Sequence, residues 1–417
     1  MENVTTNNKR WLYLITGTVI LLFVGLIYAW SIFKAPFNAI YTDWTLSQLS
    51  MVFTISMAFF CIGGYLAGLM ARKFDVKVRF IIAAILLFVG FFTVSTLDPN
   101  NSSRSLVMVY IFYGVFGGSG VGFAYNGVIT TVTKWFPDKV GLCNGIMLMG
   151  FGLGGLALGS VVNSMIGSKG IFATFRFLAI AIAVVLILGT LIIKAPEAPA
   201  ASAAKAADDE DEDETDPIRK KNYTSGEMLR TSRFWMFILW TIVLNSAGLL
   251  VINSAANISI AFGGTAVLGM IVSLFNGVGR IIAGTNFDKF GRKIAMLVNT
   301  LFFVIAGVLM IAGNATGSLA LVVIGLIFVG MAYGGNPTIT STYVNKAFGP
   351  KYFPVNFPLA NFSLLPAAII GPMISASLLE KSGGNYGSNF ITILVCAIIG
   401  FGLMVVLNGL SRKYEQK

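Results

Sequence analysis

The chain has 417 residues, of which 56% are hydrophobic and 11% are charged. Soluble globular domains carry fewer apolar residues and more than twice the share of charged ones, so an ordinary soluble enzyme is excluded. With 29 Lys and Arg against 18 Asp and Glu, the formal net charge is +11. Because the basic residues form short clusters between apolar runs, this balance indicates membrane orientation rather than nucleic-acid binding.

The cysteine and histidine content excludes two further classes. The chain has 3 cysteines and 0 histidines. Cys61, Cys143 and Cys396 lie inside apolar runs and lack the spacing of metal ligands. A disulfide-stapled scaffold and a histidine-based metal site are therefore excluded, and we expect neither a metal nor a cofactor.

Twelve apolar runs are long enough to cross a bilayer as helices, which takes roughly 20 residues each. A lone strand in lipid would leave its backbone N–H and C=O groups unpaired, so each run is predicted to be helical. The N-terminal run is too long for a secretory signal and is kept as the first span. The predicted spans are 11–33, 47–71, 78–97, 106–133, 140–166, 173–193, 234–260, 266–285, 294–312, 319–343, 357–379 and 389–410.

The loops between these spans predict orientation and domain organisation. Most basic residues fall in alternate loops on the side that holds both termini, so both termini are predicted to be cytoplasmic in a multi-pass protein of the cytoplasmic membrane. The predicted domains are an N-terminal half, 1–194, and a C-terminal half, 232–417. The linker between them, 195–231, carries an acidic run at 208–214. We expect it to be a solvated tether.

The two halves repeat each other in sequence. Residues 67–74 (AGLMARKF) align with 283–290 (AGTNFDKF). A second match pairs positions 134, 136, 139 and 144 with 346, 348, 351 and 356, which hold Lys, Phe, Lys and Asn in both halves. Both matches fall in corresponding loops, so they indicate a duplicated six-helix unit. The predicted fold is an all-α membrane protein of twelve transmembrane helices in two pseudo-symmetric halves, the major facilitator architecture.

Two sets of residues resemble known families. Residues 284–293 (GTNFDKFGRK) resemble the signature loop of the major facilitator superfamily, whereas the first half has Arg72 where Asp is usual and Asp75 where Gly is usual. Shorter stretches resemble the oxalate/formate antiporter branch, which is similar to the monocarboxylate transporters. They are residues 10–11 (RW), 28–31 (YAWS), 134–142 (KWFPDKVGL) and 223–230 (YTSGEMLR). The resemblance covers essentially the whole chain and implies transport, but it is weak on the substrate.

Arg280 is the one ionisable side chain predicted to lie deep in a span, since the acidic residues fall in loops, termini or helix ends. Such an arginine costs roughly 2.5 kcal/mol or more, so we expect it to face an internal cavity and to have a partner. It could cap carbonyls of a neighbouring helix or bind a substrate carboxylate. We favour the carboxylate, because the planar guanidinium matches it and no protein anion is predicted nearby. The resemblance implies the same role, since an arginine of this helix contacts the carboxylate in the related family.

The resemblance also matches cavity aromatics of the family to Tyr28, Tyr125 and Tyr333, in the first, fourth and tenth spans. Each could instead pack between helices. Asn276 lies one turn before Arg280 on the same helix face, where it could orient the guanidinium or bond to another helix. These residues complete the predicted binding site with two further asparagines.

Asn361 and Asn257 are candidate cavity donors, although asparagines in membranes also link helices to one another. A second substrate carboxylate would need a second cation. The resemblance implies a lysine in the eleventh span of an oxalate exchanger, but the alignment places Leu364 there, and that span has no Lys or Arg. A monocarboxylate is therefore favoured over a dicarboxylate.

The residue before the arginine bears on coupling. In animal monocarboxylate carriers an acidic residue is expected one turn before the arginine, and here that position is Asn276. An empty cavity would then carry an uncompensated positive charge through reorientation, whereas a bound monoanion neutralises it. We therefore hypothesise exchange of one organic anion for another, by rocking of the two halves. Proton symport stays open, because the proton could travel as the neutral acid.

The predicted substrate is thus a small organic monocarboxylate similar to lactate, pyruvate or formate. The other predicted partners are the lipid bilayer and, if the carrier is a symporter, protons. A carrier of a larger organic anion or drug is the alternative, and a non-transporting sensor or channel is a distant one. We expect a monomer with no nucleic-acid partner. No enzyme is expected, because no nucleophile or acid constellation lies in the spans.

Overall fold

The computed structural model of the chain describes residues 2–196 and 222–415, without the side chains of 2–8, 28, 29, 46 and 412–415. In these ranges the regular elements are helices, and none is a strand. Eleven helices of the described residues are long and apolar enough to cross a membrane. Their bounds are Lys9–Ile40 (α1), Ser47–Met70 (α2), Val76–Val94 (α3), Ser102–Trp135 (α4), Pro137–Lys169 (α5), Ile171–Ile192 (α6), Ser232–Ile252 (α7), Ala266–Thr316 (α8 and α9), Leu319–Phe348 (α10), Phe353–Lys381 (α11) and Gly387–Ser411 (α12).

One of these helices contains two spans. Its regular part, Ile271–Thr316, has 46 residues and would measure about 70 Å at 1.5 Å per residue. A bilayer core needs about 30 Å. Gly291 divides it, because its backbone is non-helical with φ 73° and ψ 179°, a conformation that glycine adopts without a Cβ clash. Residues 266–290 are therefore α8 and residues 292–316 are α9, which confirms the predicted twelve-helix fold.

Three spans differ from the predicted bounds. Helix α1 continues past Lys34 to Ile40, because Lys34 Nζ donates to Ser50 Oγ of α2 at 3.1 Å. Helix α7 ends at Ile252, and a separate helix, Ala255–Ala261, follows it. Helix α11 is interrupted between Asn361 and Leu364, where Pro366 has no N–H for the carbonyl four residues earlier.

The predicted linker lies largely outside the described residues, including the acidic run 208–214. Its end is described and differs from a tether. Thr224 and Glu227 form a capping box for the short helix Ser225–Leu229, and Tyr223 N donates to the Phe348 carbonyl of α10 at 2.9 Å. This segment therefore packs against the C-terminal half, because its caps and main chain have partners there.

The described residues form two compact units. Residues up to 133 with 146–194 form one unit, and 134–145 with the described residues from 195 onward form the other. The first turns of α5 thus belong to the second unit. Most candidate site residues also lie in that unit, whereas Tyr28 and Tyr125 belong to the first.

Candidate functional site

Arg280 lies in the middle of α8 and is only 3% exposed. Its Nε donates a hydrogen bond to Asn276 Oδ1 at 3.1 Å. The two residues are four apart, so their side chains meet on one face of the helix. Asn276 is half-buried, and its oxygen fixes one edge of the guanidinium.

Glycines of α5 bring its backbone against α8 on one side of Arg280. A methyl group on Gly145 would overlap the Arg280 carbonyl at 2.6 Å, and one on Gly141 would overlap the carbonyl of Gly284. Helices approach this closely only where both surfaces are small. The backbone that carries Arg280 is therefore held by main-chain packing.

Helix α10 packs just as closely against α8. A methyl group on Gly334 would overlap the backbone of Asn276, and one on Gly330 would overlap the carbonyl of Val272. Any added side-chain atom there would displace α10 from α8. The arginine and its asparagine thus lie on a helix whose position is fixed by α5 and by α10.

The signature loop contributes Asp288, at the end of α8. Asp288 Oδ1 accepts from Gly141 N at 2.8 Å, and Oδ2 accepts from Leu142 N at 2.7 Å. These amides begin α5, where a carboxylate satisfies unpaired donors and complements the helix dipole. Lys346 Nζ of α10 lies 3.6 Å from Asp288 Oδ1. One carboxylate therefore joins α5, α8 and α10 at their shared end.

The predicted aromatics have different surroundings. Tyr333 on α10 is half-buried, and its ring lies against Gly248 of α7, where a methyl group would approach it to 2.6 Å. Tyr125 on α4 is 4% exposed. Its ring centroid lies 5.0 Å from that of Phe60 and 4.8 Å from that of Phe151, so it belongs to an aromatic cluster of the first unit.

The remaining predicted residues are more scattered. Asn361 ends the helix Phe353–Asn361 in α11 and is buried. Asn257 is exposed on the short helix Ala255–Ala261, beyond the end of α7. The side chain of Tyr28 lies outside the described residues, although its backbone is in a 3₁₀ turn, Gly25–Ala29, of α1. Within the second unit the structure therefore places Asn276 directly on Arg280.

A chain of three buried asparagines was not predicted. Asn299 Nδ2 of α9 donates to Asn336 Oδ1 of α10 at 2.8 Å, and Asn336 Nδ2 donates to Asn245 Oδ1 of α7 at 3.0 Å. Their exposures are 3%, 0% and 2%. Such amide pairs hold helices together inside apolar surroundings. Sequence position alone could not pair them, because the three lie on different helices.

Arg280 is also not the only buried arginine among the described residues, which corrects the sequence prediction. Arg79, Arg233 and Arg292 are 5%, 1% and 3% exposed. They were assigned to loops because each lies near the end of a predicted span. The helices extend further than the apolar windows, so these side chains are enclosed by helix ends.

The three additional arginines have neutral partners at helix ends. Arg292 Nη1 and Nη2 donate to Ser411 Oγ at 2.9 Å and to Asn408 Oδ1 at 3.0 Å. The Arg233 guanidinium lies 4.7 Å from the ring centroids of both Tyr223 and Phe348, a cation–π arrangement. These contacts brace helix ends, whereas Arg280 lies in mid-span.

The search for metal sites gave no group of three or more His, Cys, Asp or Glu side chains within the ranges that the structure describes. The polar groups of the site are instead a guanidinium, amides and hydroxyls. Such groups bind anions and polar organic molecules through hydrogen bonds.

The fold and these buried polar groups are those of a multi-pass membrane transporter. The sequence profile of the Major Facilitator Superfamily matches residues 12–372. The chain belongs to this superfamily, which confirms the resemblance seen in its signature loop.

Relatives narrow the similarity further. The chain is 27% identical over 412 residues to the oxalate:formate antiporter of Oxalobacter formigenes, covering 95% of this chain and 90% of that protein. It is 26% identical over 136 residues to human monocarboxylate transporter 10, which covers 33% of this chain and 25% of that protein.

A solved structure supports the fold alone. The proton:xylose symporter XylE, bound to 6-bromo-6-deoxy-D-glucose, superposes with a TM-score of 0.68 at 16% sequence identity, covering 95% of both chains. Identity this low carries no information about the substrate.

Proposed function

We propose that the protein is a secondary transporter that carries a small organic monocarboxylate across the cytoplasmic membrane by alternating access. The observation that carries this proposal is the burial of Arg280 in mid-span, with its guanidinium oriented by Asn276. A guanidinium presents a planar pair of donors that matches a carboxylate. The monoanion would neutralise the arginine inside the membrane.

The relatives support an organic anion as substrate. One has the name of an oxalate:formate antiporter and another that of a monocarboxylate transporter. A single carboxylate is favoured, because α11 offers no lysine or arginine between its first residue and Lys381 at its end. Tyr125, Tyr333, Asn361, Tyr28 and Asn257 are proposed as further contributors to the cavity.

We further propose exchange of one anion for another. Asn276 is neutral, so the hydrogen bond from Arg280 to Asn276 leaves the positive charge of the pair in place. Movement of an empty, positively charged site through the membrane is unfavourable, and movement of a site occupied by a monoanion is less so. Both termini are proposed to be cytoplasmic, and the carrier is proposed to act as a monomer.

Counterflow in proteoliposomes tests the proposed function. Vesicles preloaded with formate, lactate, pyruvate, oxalate or a larger organic anion are exposed to labelled lactate. We expect lactate and pyruvate to stimulate uptake of label several-fold over empty vesicles, and oxalate to stimulate it little. Stimulation only by a larger anion, or by none of the panel, would contradict the proposal.

An acid at position 276 is expected to introduce proton coupling. In Asn276→Asp the new carboxylate would pair with Arg280 one turn away and compete with the substrate. Substrate binding would then require protonation of that carboxylate, so uptake should rise as pH falls. The neutral variant Asn276→Gln serves as the control. The coupling argument is wrong if the two folded variants have the same pH profile between pH 5 and 8.

A further inference from the structure

Helices α8 and α10 run side by side in a fixed register. Gly334 lies against the backbone of Asn276, and Lys346 Nζ lies 3.6 Å from Asp288 Oδ1. The same number of residues separates the two members of these contacts on each helix. Because residues four apart share a helix face, the positions between them also face one another.

Two threonines occupy the intermediate positions on α10. Thr338 follows Gly334 by four residues and is level with Arg280, and Thr342 is level with Gly284. Both threonines are 0% exposed. Neither hydroxyl has a hydrogen-bond partner among the residues that the structure describes. These are polar groups enclosed at the interface that carries the proposed anion site.

Neighbouring hydroxyls of α10 are satisfied locally. Thr340 Oγ1 donates to the Asn336 carbonyl at 2.8 Å, and Ser341 Oγ donates to the Thr338 carbonyl at 3.1 Å. Back-bonding of this kind is the usual arrangement of a threonine inside a helix. The hydroxyls of Thr338 and Thr342 do not use it, although nothing in their sequence position prevents it.

A buried hydroxyl without a partner is unfavourable, and a methyl group of the same shape would avoid that penalty. Unsatisfied polar groups in native proteins therefore point to an absent ligand or water. The register places Thr338 beside the residue that is proposed to hold the carboxylate. A polar group next to that carboxylate would lie within reach of this hydroxyl.

We infer that Thr338 is a specificity-determining residue whose hydroxyl hydrogen-bonds the oxygen on the carbon next to the substrate carboxylate. The substrates are then 2-hydroxy and 2-oxo monocarboxylates, rather than unsubstituted acids. This inference rests on the proposed function, because it requires the carboxylate to lie at Arg280. Thr338 adds the second polar contact that distinguishes lactate from propionate.

Lactate and propionate test this inference, because they differ only in the 2-hydroxyl group. Competition against counterflow of labelled lactate measures the affinity of each unlabelled acid. We expect propionate to compete about tenfold more weakly than lactate in the unmodified carrier, the size of one hydrogen bond. Thr338→Val should weaken lactate about tenfold and leave propionate unchanged. Thr338→Ser should restore the difference, and Thr340→Val is the matched control.

Thermal stability gives a second readout that a packing role would not produce. Without substrate, Thr338→Val should melt at the same or a higher temperature, because it removes an unpartnered buried hydroxyl. The additional stabilisation by lactate should shrink in this variant. In Thr340→Val the stabilisation by lactate should remain.

Two outcomes separate the inference from the proposed function. If propionate competes as well as lactate, or if Thr338→Val weakens both equally, the inference is overturned and the hydroxyl serves water or packing. If that occurs while Arg280→Gln abolishes counterflow, the proposed anion site survives. If no monocarboxylate drives counterflow, the proposed function fails and the inference fails with it.

Discussion

The Arg280→Gln carrier is expected to lose lactate counterflow by about 100-fold or more. Loss of one partner from a buried charged hydrogen-bonded pair costs about 3 kcal/mol, which corresponds to a factor above 100 in affinity. Glutamine is of similar length and can still bond to Asn276, but it has no charge. The expected loss is therefore one of anion binding and not of helix packing.

Arg280→Lys separates charge from shape. Lysine keeps the positive charge but lacks the planar fork, so we expect affinity to fall about tenfold rather than 100-fold. Counterflow rates at several lactate concentrations, corrected for the amount of monodisperse protein, give the affinity and the maximal rate. A lysine carrier with unchanged affinity would mean that the fork makes no specific contact.

Arg79→Gln is the matched control for loss of a buried arginine. Arg79 is 5% exposed and donates to Thr130 Oγ1 at 3.1 Å and Thr131 Oγ1 at 3.2 Å. This substitution should lower stability, because the hydroxyls lose their charged donor, but lactate affinity should stay unchanged. The anion-binding role of Arg280 would be refuted if its Gln variant kept normal lactate affinity and rate.

The twelve-helix fold could be predicted because its main determinant is local. A run of roughly 20 apolar residues must be a helix in lipid, whatever its neighbours are. Helix ends were less accessible, since they depend on tertiary contacts. Lys34 is charged, yet its bond to Ser50 keeps it within α1. Arg79, Arg233 and Arg292 were misplaced for the same reason, because each finds partners on another helix.

Arg280 could be predicted as a candidate because a lone arginine in mid-span is visible in sequence. Its bond to Asn276 was also within reach, since both lie on one helix four residues apart. The asparagine chain from Asn299 through Asn336 to Asn245 was not, because it joins three helices. The register of α8 against α10 was equally hidden, since no sequence period states which residues of two helices are level.

That register depends on glycine, which leads to a second large expected effect. Gly334→Ala should lower the melting temperature by several degrees and nearly abolish counterflow. A methyl group there would overlap the backbone of Asn276, and main chain cannot move aside as a flexible side chain can. Overpacking of this kind costs about 1 to 3 kcal/mol. α10 would have to withdraw from α8, and Thr338 would move away from Arg280.

Gly402→Ala on α12 is the matched control, because nothing lies within 4 Å of the position that its methyl group would occupy. Both glycines lie inside helices, where alanine gains roughly 0.5 to 1 kcal/mol in helix propensity. Gly402→Ala should therefore be neutral or stabilising and should transport normally. Since the two substitutions share the propensity gain, their difference isolates the contact between α8 and α10. Equal melting temperatures and equal counterflow in the two variants would show that this contact does not position the site.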